Sequence, residues 1–335
     1  MTHGLTATDL FAGAGGSSEG LRQAGYQVLY AANHWQTAVD THQANHPDTD
    51  HRLANLSETD FRTFGRTNLL WVSPSCVWHA RSGGRKQPSV EAELRRADEG
   101  SIDRATAFAV IAATEVHAYD AVIVENVTEF MNWGRGVMYR WWLDGMTALG
   151  YKHQVVTLNS ADVGPNPVAQ NRIRFYAVFT RHGDVDLDIT PGPRTPATAI
   201  LDPDLGELKT SHGYVADQVA EIAVPGVPHL TVYRNHGRAR RADQHQLATV
   251  TAGGNHHGIA TVTDAGVYRR LLNNRERARA QGFPDDYVFH GRNVPVIKNG
   301  KRRYVDEVRM QIGNAVSVNV ARFIGERTAN ALEVA

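Results

Sequence analysis

Leu5-Thr6-Ala7-Thr8-Asp9-Leu10-Phe11-Ala12-Gly13-Ala14-Gly15-Gly16-Ser17-Ser18-Glu19 changes character twice. Residues 5–10 read as a strand, the glycines as a turn, and Ser17-Ser18-Glu19 as the opening of a helix running through Leu21 toward Gly25. Strand, glycine-rich turn and helix in succession let main chain come close to a nucleotide. Tight turns of many kinds need glycine, so the unit alone names no ligand. Gly13 and Gly15 fit the dinucleotide pattern G-x-G-x-x-G, but Ser18 occupies the last position. That argues against a pyrophosphate and leaves room for a nucleoside.

Further along, strands and helices keep alternating. Residues 26–31 read as a second strand leading into Asn33-His34-Trp35, and a helix follows that ends before Pro47. His42 and His46 are one helical turn apart, as metal ligands can be. No third ligand follows at a recognisable spacing, so a solvated helix face is the expectation. Leu69-Leu70-Trp71-Val72 reads as a buried strand, broken by Ser73-Pro74, with Cys76 at its mouth. A polar loop over 80–100 follows, carrying Arg81, Arg85, Lys86, Arg95 and Arg96; loops of that length are usually functional or disordered. Residues 102–117 have helical spacing, 120–124 form a strand ending in Glu125-Asn126-Val127, and helix resumes over 138–149. Residues 155–158 and 174–179 read as the last strands, with Gln170-Asn171-Arg172-Ile173-Arg174 between them. This alternation predicts an open α/β sheet with ligands at the strand ends.

Each candidate group also has a plain structural reading. A lone cysteine is usually a small buried hydrophobe, and a carboxylate near a turn often caps the next helix. Two arginines on one strand face serve either solvation or an anion and carboxylate clamp. From about residue 181 the alternation stops, and short β-like runs appear at 230–233 and 248–251. The most basic stretch, Arg234-Asn235-His236-Gly237-Arg238-Ala239-Arg240-Arg241, lies in this smaller irregular module. A charge run is usually a solvated face; beside a nucleotide site it suits phosphate. His256-His257, near glycines, read as turn residues. Helical pattern returns from Arg269, and Gln311-Ile312-Gly313-Asn314 reads as the opening of a final amphipathic helix.

Composition sets outer limits. A single cysteine excludes a disulfide framework and suits a reducing compartment. No apolar run reaches membrane-spanning length, and the N-terminus lacks the pattern of a signal peptide. Net charge is zero, so a nucleic-acid partner must be held by a local patch.

Taken together and in order, the motifs resemble the DNA (cytosine-5)-methyltransferase family over nearly the whole chain. Asp9-Leu10-Phe11-Ala12-Gly13-Ala14-Gly15-Gly16 resembles the cofactor motif, and Pro74-Ser75-Cys76 stands where the family has Pro-Cys. Glu125-Asn126-Val127 and Gln170-Asn171-Arg172-Ile173-Arg174 match the catalytic glutamate and Gln-x-Arg-x-Arg motifs. Arg275-Glu276-Arg277-Ala278-Arg279-Ala280-Gln281-Gly282-Phe283-Pro284 and Gln311-Ile312-Gly313-Asn314-Ala315-Val316 resemble the last two. The resemblance implies an α/β, Rossmann-like catalytic domain over 1–180 and 268–335, with an irregular β-rich target-recognition domain over 181–267.

It further implies Cys76 as nucleophile at cytosine C6, Glu125 as the acid at N3, and Arg172 orienting Glu125 or the base, with Arg174 in support. S-adenosylmethionine, or a related sulfonium donor, would be held by Phe11, Ala12, Gly13, Gly15, Gly16, His34, Trp35, Asn55, Pro74, Asn314 and Ala315. No metal is expected. Duplex DNA would meet Arg81, Arg85, Arg234, Arg238, Arg240 and Arg241, with residues 81–104 as a lid over a flipped base. A monomer acting in the cytoplasm, at the nucleoid, is the expected form. The family's usual residues are replaced by Ser75 before the cysteine, Val77 after it, His34 in place of a ribose-binding glutamate, and Asn55 in place of an adenine-binding acid. These departures bear on cofactor affinity and on the identity of the donor. Action on RNA cytosine and a catalytically inactive DNA-binding homologue are the other readings.

Overall fold

The computed structural model describes residues 4–74, 97–181, 183–233, 237–254, 256–298 and 300–334, with main chain alone for 97–105 and Lys298. Ser75, Cys76, Val77, Arg81, Arg85 and Arg234 therefore lie outside the described residues.

The first half of the chain builds strands β1 (Thr6–Leu10), β2 (Gln27–Asn33), β3 (Asp50–Leu53), β4 (Leu69–Val72) and β5 (Ala121–Asn126). Between and beyond them run helices α1 (Gly16–Gln23), α2 (Gln36–Asn45), α3 (Ala97–His117) and α4 (Val137–Ala148). With β6 (Lys152–Asn159) and β7 (Ile173–Thr180), the strands form one sheet in the order β3-β2-β1-β4-β5-β7-β6. Pairings from β3 to β5 are parallel, and β7 runs antiparallel to both β5 and β6.

Burial explains why these runs are strands. Every residue of β4 and β5 is buried, the pattern of parallel strands covered on both faces. Period-two alternation then sends neighbours to opposite cores. Leu70, Val72, Val122 and Val124 pack with Phe130, Trp142, Phe175 and Phe179. Leu69, Trp71, Ala121 and Ile123 pack with Leu21, Val320, Ala321 and Ile324 on the other side. The order of strands reverses at β1, which has β2 on one flank and β4 on the other. A crevice therefore opens outside the carboxyl ends of β1 and β4, where open α/β sheets hold their ligands.

The later chain forms a second sheet from β8 (Lys209–Thr210), β9 (His229–Val232), β10 (Arg240–Arg241), β11 (His257–Thr263) and β12 (Gly266–Leu271). Helix α5 (Tyr214–Glu221) accompanies it. Its order is β10-β9-β11-β12-β8, with antiparallel pairing throughout. Helix α6 (Asn274–Gln281) follows, then a separate hairpin of β13 (Asn293–Lys298) and β14 (Lys301–Asp306). Helices α7 (Glu307–Asn314) and α8 (Val318–Val334) end the chain. Helix α8 returns to the first sheet by packing on α1, where a Cβ on Gly20 would stand 2.5 Å from Ala321 Cβ.

Several expectations are corrected. Residues 248–251 are not a strand; they dock on 170–172, with Thr249 Oγ1 donating to Asn171 O and Val250 N to Gln170 Oε1. His257 is no turn residue: it opens β11, is buried, and its Nε2 meets Thr249 O at 3.1 Å. Helix α3 starts at Ala97, so the loop read over 80–100 and the lid read over 81–104 both run into helix. Residues 269–271 belong to β12, and helix begins only after Asn273, whose capping box with Glu276 fixes the start. Gln311-Ile312-Gly313-Asn314 closes α7 instead of opening the last helix.

Candidate active site

The crevice lies at the carboxyl ends of β1 to β5. After β1, Phe11 takes a positive φ of 61°, and Gly13 and Gly15 follow at 56° and 88°. Only glycine enters this region without strain, so the turn is specific to its sequence. Gly15 and Gly16 serve packing: a Cβ would lie 2.6 Å from Tyr287 Oη at the first and 2.2 Å from Val316 O at the second. Gly13 is different, because a Cβ there would meet nothing nearer than Phe11 O at 3.9 Å. Ala12 is buried and donates its N–H to Ala32 O, joining the turn to the end of β2. There Trp35 is half-buried, His34 is exposed, and Asn33 Oδ1 accepts from Trp35 N at 3.0 Å. Asn55, beyond β3, is exposed, and its Oδ1 accepts from Ser57 N at 3.2 Å.

These residues fit a nucleoside-bearing sulfonium donor. The open side of Gly13 is a cradle for close approach, Phe11 and Trp35 offer half-buried rings, and His34 and Asn55 offer an imidazole and an amide for hydrogen bonding.

Beneath the turn lies a buried polar chain that sequence reasoning missed. Asp9 is fully buried, and its Oδ2 accepts from Ser17 Oγ at 2.6 Å and Ser18 Oγ at 2.7 Å. His42 Nε2 meets Ser18 Oγ at 2.9 Å, and His42 Nδ1 meets His51 Nε2 at 2.8 Å. Because the Ser18 hydroxyl donates to Asp9, a neutral His42 must donate from Nε2 and accept at Nδ1 from His51. Tyr287 Oη donates to Ala14 O at 2.5 Å and sits 3.3 Å from His46 Nε2. His42 and His46 thus form no solvated face; both are buried, and their partners are Ser18, His51 and Tyr287. Among the described residues no group of three or more His, Cys, Asp or Glu is placed to hold a metal. The one signal for Asp9 was an acid inside an apolar strand.

Burial raises the Asp9 carboxyl to about 6, opposed by the two serine hydroxyls. A raised acid stabilises the fold fully below its unfolded value of 3.8, and that contribution is lost as pH rises through about 6. Burial holds the His42 imidazole well below its usual range and His46 at about 4, so these work in the opposite direction. The comparison that isolates Asp9 is urea unfolding of wild type against Asp9→Asn. Wild type should lose roughly 3 kcal/mol relative to the variant between pH 4 and pH 7. A constant difference across that range would contradict the assignment.

At the ends of β4 and β5 the site gathers ionisable groups. Asn126 Nδ2 donates to Pro74 O at 3.2 Å, tying the two strand ends together two residues before Cys76 in sequence. Glu125 is buried, and Arg174 Nε lies 3.3 Å from its Oε1. That N–H is not aligned on the oxygen, which has no hydrogen bond among the described residues. Burial raises the Glu125 carboxyl above its ordinary range, while Arg174 and then Arg172 pull it down. The strand alternation holds here: Arg172 and Arg174 turn inward and Ile173 is 52 % exposed.

The two arginines differ in use. Arg172 donates from Nη1 to Val250 O and Gly313 O, both at 3.3 Å, and from Nη2 to Ala315 O at 2.8 Å. Its charge is felt at Glu125, but its hydrogen bonds hold the end of α7 and the docked 248–251 segment. The ion pair with Glu125 belongs to Arg174. Asn314 is exposed beside this junction, and Ala315 is buried. Of the basic stretch, Arg238 and Arg240 are exposed, whereas Arg241 is committed to Asp243 by bonds of 3.0 and 2.6 Å.

The fold and crevice define a Rossmann-like α/β enzyme with its ligand site at the strand ends. The family model for C-5 cytosine-specific DNA methylase matches residues 5–330, and the chain belongs to that family. Members are DNA (cytosine-5)-methyltransferases, so the activity is methylation of cytosine in DNA, with S-adenosylmethionine as the donor the family implies. The type II methyltransferase M.AgeI of Thalassovita gelatinovora is 29% identical over 180 residues, 51% of this chain and 38% of that protein. M.HhaI, a type II methyltransferase of Haemophilus parahaemolyticus, is 25% identical over 345 residues, 98% of this chain and 95% of its own length. Among solved structures, the Entamoeba histolytica methyltransferase EhMeth matches with a TM-score of 0.68 at 12% identity, covering 98% of both chains. No described helix is long and apolar enough to cross a membrane.

Proposed function

We propose that the protein methylates C5 of a flipped-out cytosine in duplex DNA through a covalent adduct between Cys76 and C6. The observation that carries this reading is the buried Glu125 carboxyl at a strand end joined by Asn126 to Pro74. Cytosine C5 is a poor nucleophile until a thiolate adds at C6. A free thiol is only a few per cent ionised at neutral pH, and nearby cations raise that fraction. Addition of the Cys76 sulfur to C6 pushes electrons toward N3, where Glu125, its carboxyl pushed upward by burial, delivers or shares a proton. Arg174 positions the Glu125 carboxyl, and Arg172 adds positive potential while bracing the wall behind it.

When bound, S-adenosylmethionine supplies an electrophilic methyl to C5. Water then takes the C5 proton, the C5–C6 double bond re-forms, Cys76 leaves as thiolate, and N3 returns its proton to Glu125. Phe11, Gly13, His34, Trp35 and Asn55 are the residues we assign to the donor. An imidazole at 34 and an amide at 55, in place of the family's acids, make a modified sulfonium donor the second reading. A cytosine within a duplex cannot reach the crevice, so base flipping, at a few kcal/mol, is part of the proposal. Residues 181–267 are assigned to target recognition, with Arg238 and Arg240 on phosphate; β12 carries the second sheet on to Leu271. We also propose a monomer acting at the nucleoid.

Transfer of labelled methyl to duplex DNA, set beside transfer RNA, tests the substrate. Label in duplex deoxycytidine is expected; label confined to RNA would overturn the reading.

A further inference from the structure

The hairpin β13–β14 is an unusual feature of this chain's surface. Among the described residues it pairs only with itself, in a two-stranded sheet from Asn293↔Asp306 to Lys298↔Lys301. Two-stranded hairpins are marginal in water unless something covers a face. One face carries Val294, Val296 and Val305, all half-buried, near the base where β14 touches α7. The other face carries Pro295, Ile297, Arg302 and Tyr304, and all four are exposed. Ile297 is 75 % and Tyr304 60 % exposed, and the Arg302 guanidinium lies over the Tyr304 ring at 5.5 Å. Lys301 and Arg303 are exposed on the first face toward the tip.

The charge of this arm is one-sided. From residue 287 to 305 there is no acid, while Arg292, Lys298, Lys301, Arg302 and Arg303 are all basic. The chain as a whole has zero net charge, so this excess is local. Its base is anchored by hydrogen bonds: Asp306 caps α7, Glu307 N donates to Arg292 O, and Arg292 N donates to Glu307 Oε2 at 3.0 Å. Gln311 Nε2 adds a bond of 2.6 Å to His290 O. The same α7 ends at the carbonyls held by Arg172. The arm is therefore braced to the active-site wall through one short helix.

We propose that the β13–β14 hairpin is a second duplex-DNA contact, gripping phosphates beside the target site with Lys301, Arg302 and Arg303. This rests on the DNA-methylating reading above and goes beyond it by adding a surface outside the crevice and outside residues 181–267. A two-stranded β-ribbon is of a size that the major groove admits, and phosphate contacts fix the register of a protein on its duplex without reading sequence. Tyr304 and Ile297 would then lie against the sugar–phosphate wall instead of water.

The test compares wild type with the Lys301→Ala/Arg302→Ala/Arg303→Ala variant in binding a duplex of about forty base pairs across a salt series. Each phosphate contact contributes about 0.9 to the slope of log K against log salt. The expected result is a slope smaller by about 2–3 and an affinity about tenfold or more weaker. Lys301→Arg/Arg302→Lys/Arg303→Lys, which keeps the charge, should retain the wild-type slope. The three side chains are exposed, and an unchanged melting curve confirms that the fold persists. Wild type that methylates the duplex, with a variant of unchanged slope and affinity, overturns the hairpin proposal alone. If that result comes with a wild-type dimer that the variant loses, the arm docks a second copy instead. Wild type that neither binds nor methylates duplex DNA overturns the proposed function and this contact together.

Discussion

Glu125→Gln should lower the maximal rate of methyl transfer by about 10²–10⁴-fold while leaving duplex affinity within a few fold. The amide keeps the shape of the carboxyl and can still hydrogen-bond, but it carries no proton for N3. The size of the effect follows from where the group sits. Glu125 is buried, and its Oε1 has no hydrogen bond among the described residues. Burial pushes its carboxyl upward, and Arg174 at 3.3 Å only partly offsets this. An acid with a raised value stays protonated to higher pH, so the wild-type rate should fall as pH rises through that value. The glutamine variant should lack that limb. Unchanged turnover, or an unchanged pH profile on a reduced rate, would remove Glu125 from the chemistry.

Arg172→Ala is expected to act chiefly on the fold. Arg172 is 3 % exposed, and its guanidinium holds Val250 O, Gly313 O and Ala315 O from distant parts of the chain. Removing it takes a donor from Val250 O, Gly313 O and Ala315 O, the last of which keeps Gln281 Nε2 at 3.5 Å, at about 1–3 kcal/mol for each carbonyl left unpaired. A loss of roughly 3–5 kcal/mol in chemical unfolding is therefore expected, and Arg172→Lys should recover only part of it. Arg174→Ala, which strips the ion pair from Glu125, should cost little stability and mainly rate. The reverse pattern, with Arg172→Ala fully stable and slow, would return the orienting role to Arg172.

The contrast between these arginines shows what the sequence could and could not convey. Local pattern was enough for the sheet: continuous apolar runs at 69–72 and 121–124, the turn at 13–16, and an alternation that put both arginines on one face without saying whether it turned inward. It also placed Glu125 at a strand end. It did not reveal which arginine meets the glutamate, because that depends on Val250, Gly313 and Ala315, which are far away in the chain. His42 and His46 were misread for the same reason. Nothing in α2 announces that Tyr287 and His51 will cover them. Helix boundaries failed where a cap decided them: Asn273 with Glu276 starts α6 after a strand that the composition alone did not separate from it. Residues 248–251 look like a strand but make hydrogen bonds to Gln170, Asn171, Arg172 and His257.

The covalent step is the centre of the account, and nucleoside analysis addresses it most directly. Duplex DNA would be incubated with S-adenosylmethionine and either wild type or Cys76→Ala, then digested and examined by mass spectrometry. The account requires deoxycytidine gaining one methyl with wild type and none with Cys76→Ala, the variant remaining folded and still binding DNA. Methylated deoxycytidine from Cys76→Ala at the wild-type rate would contradict it.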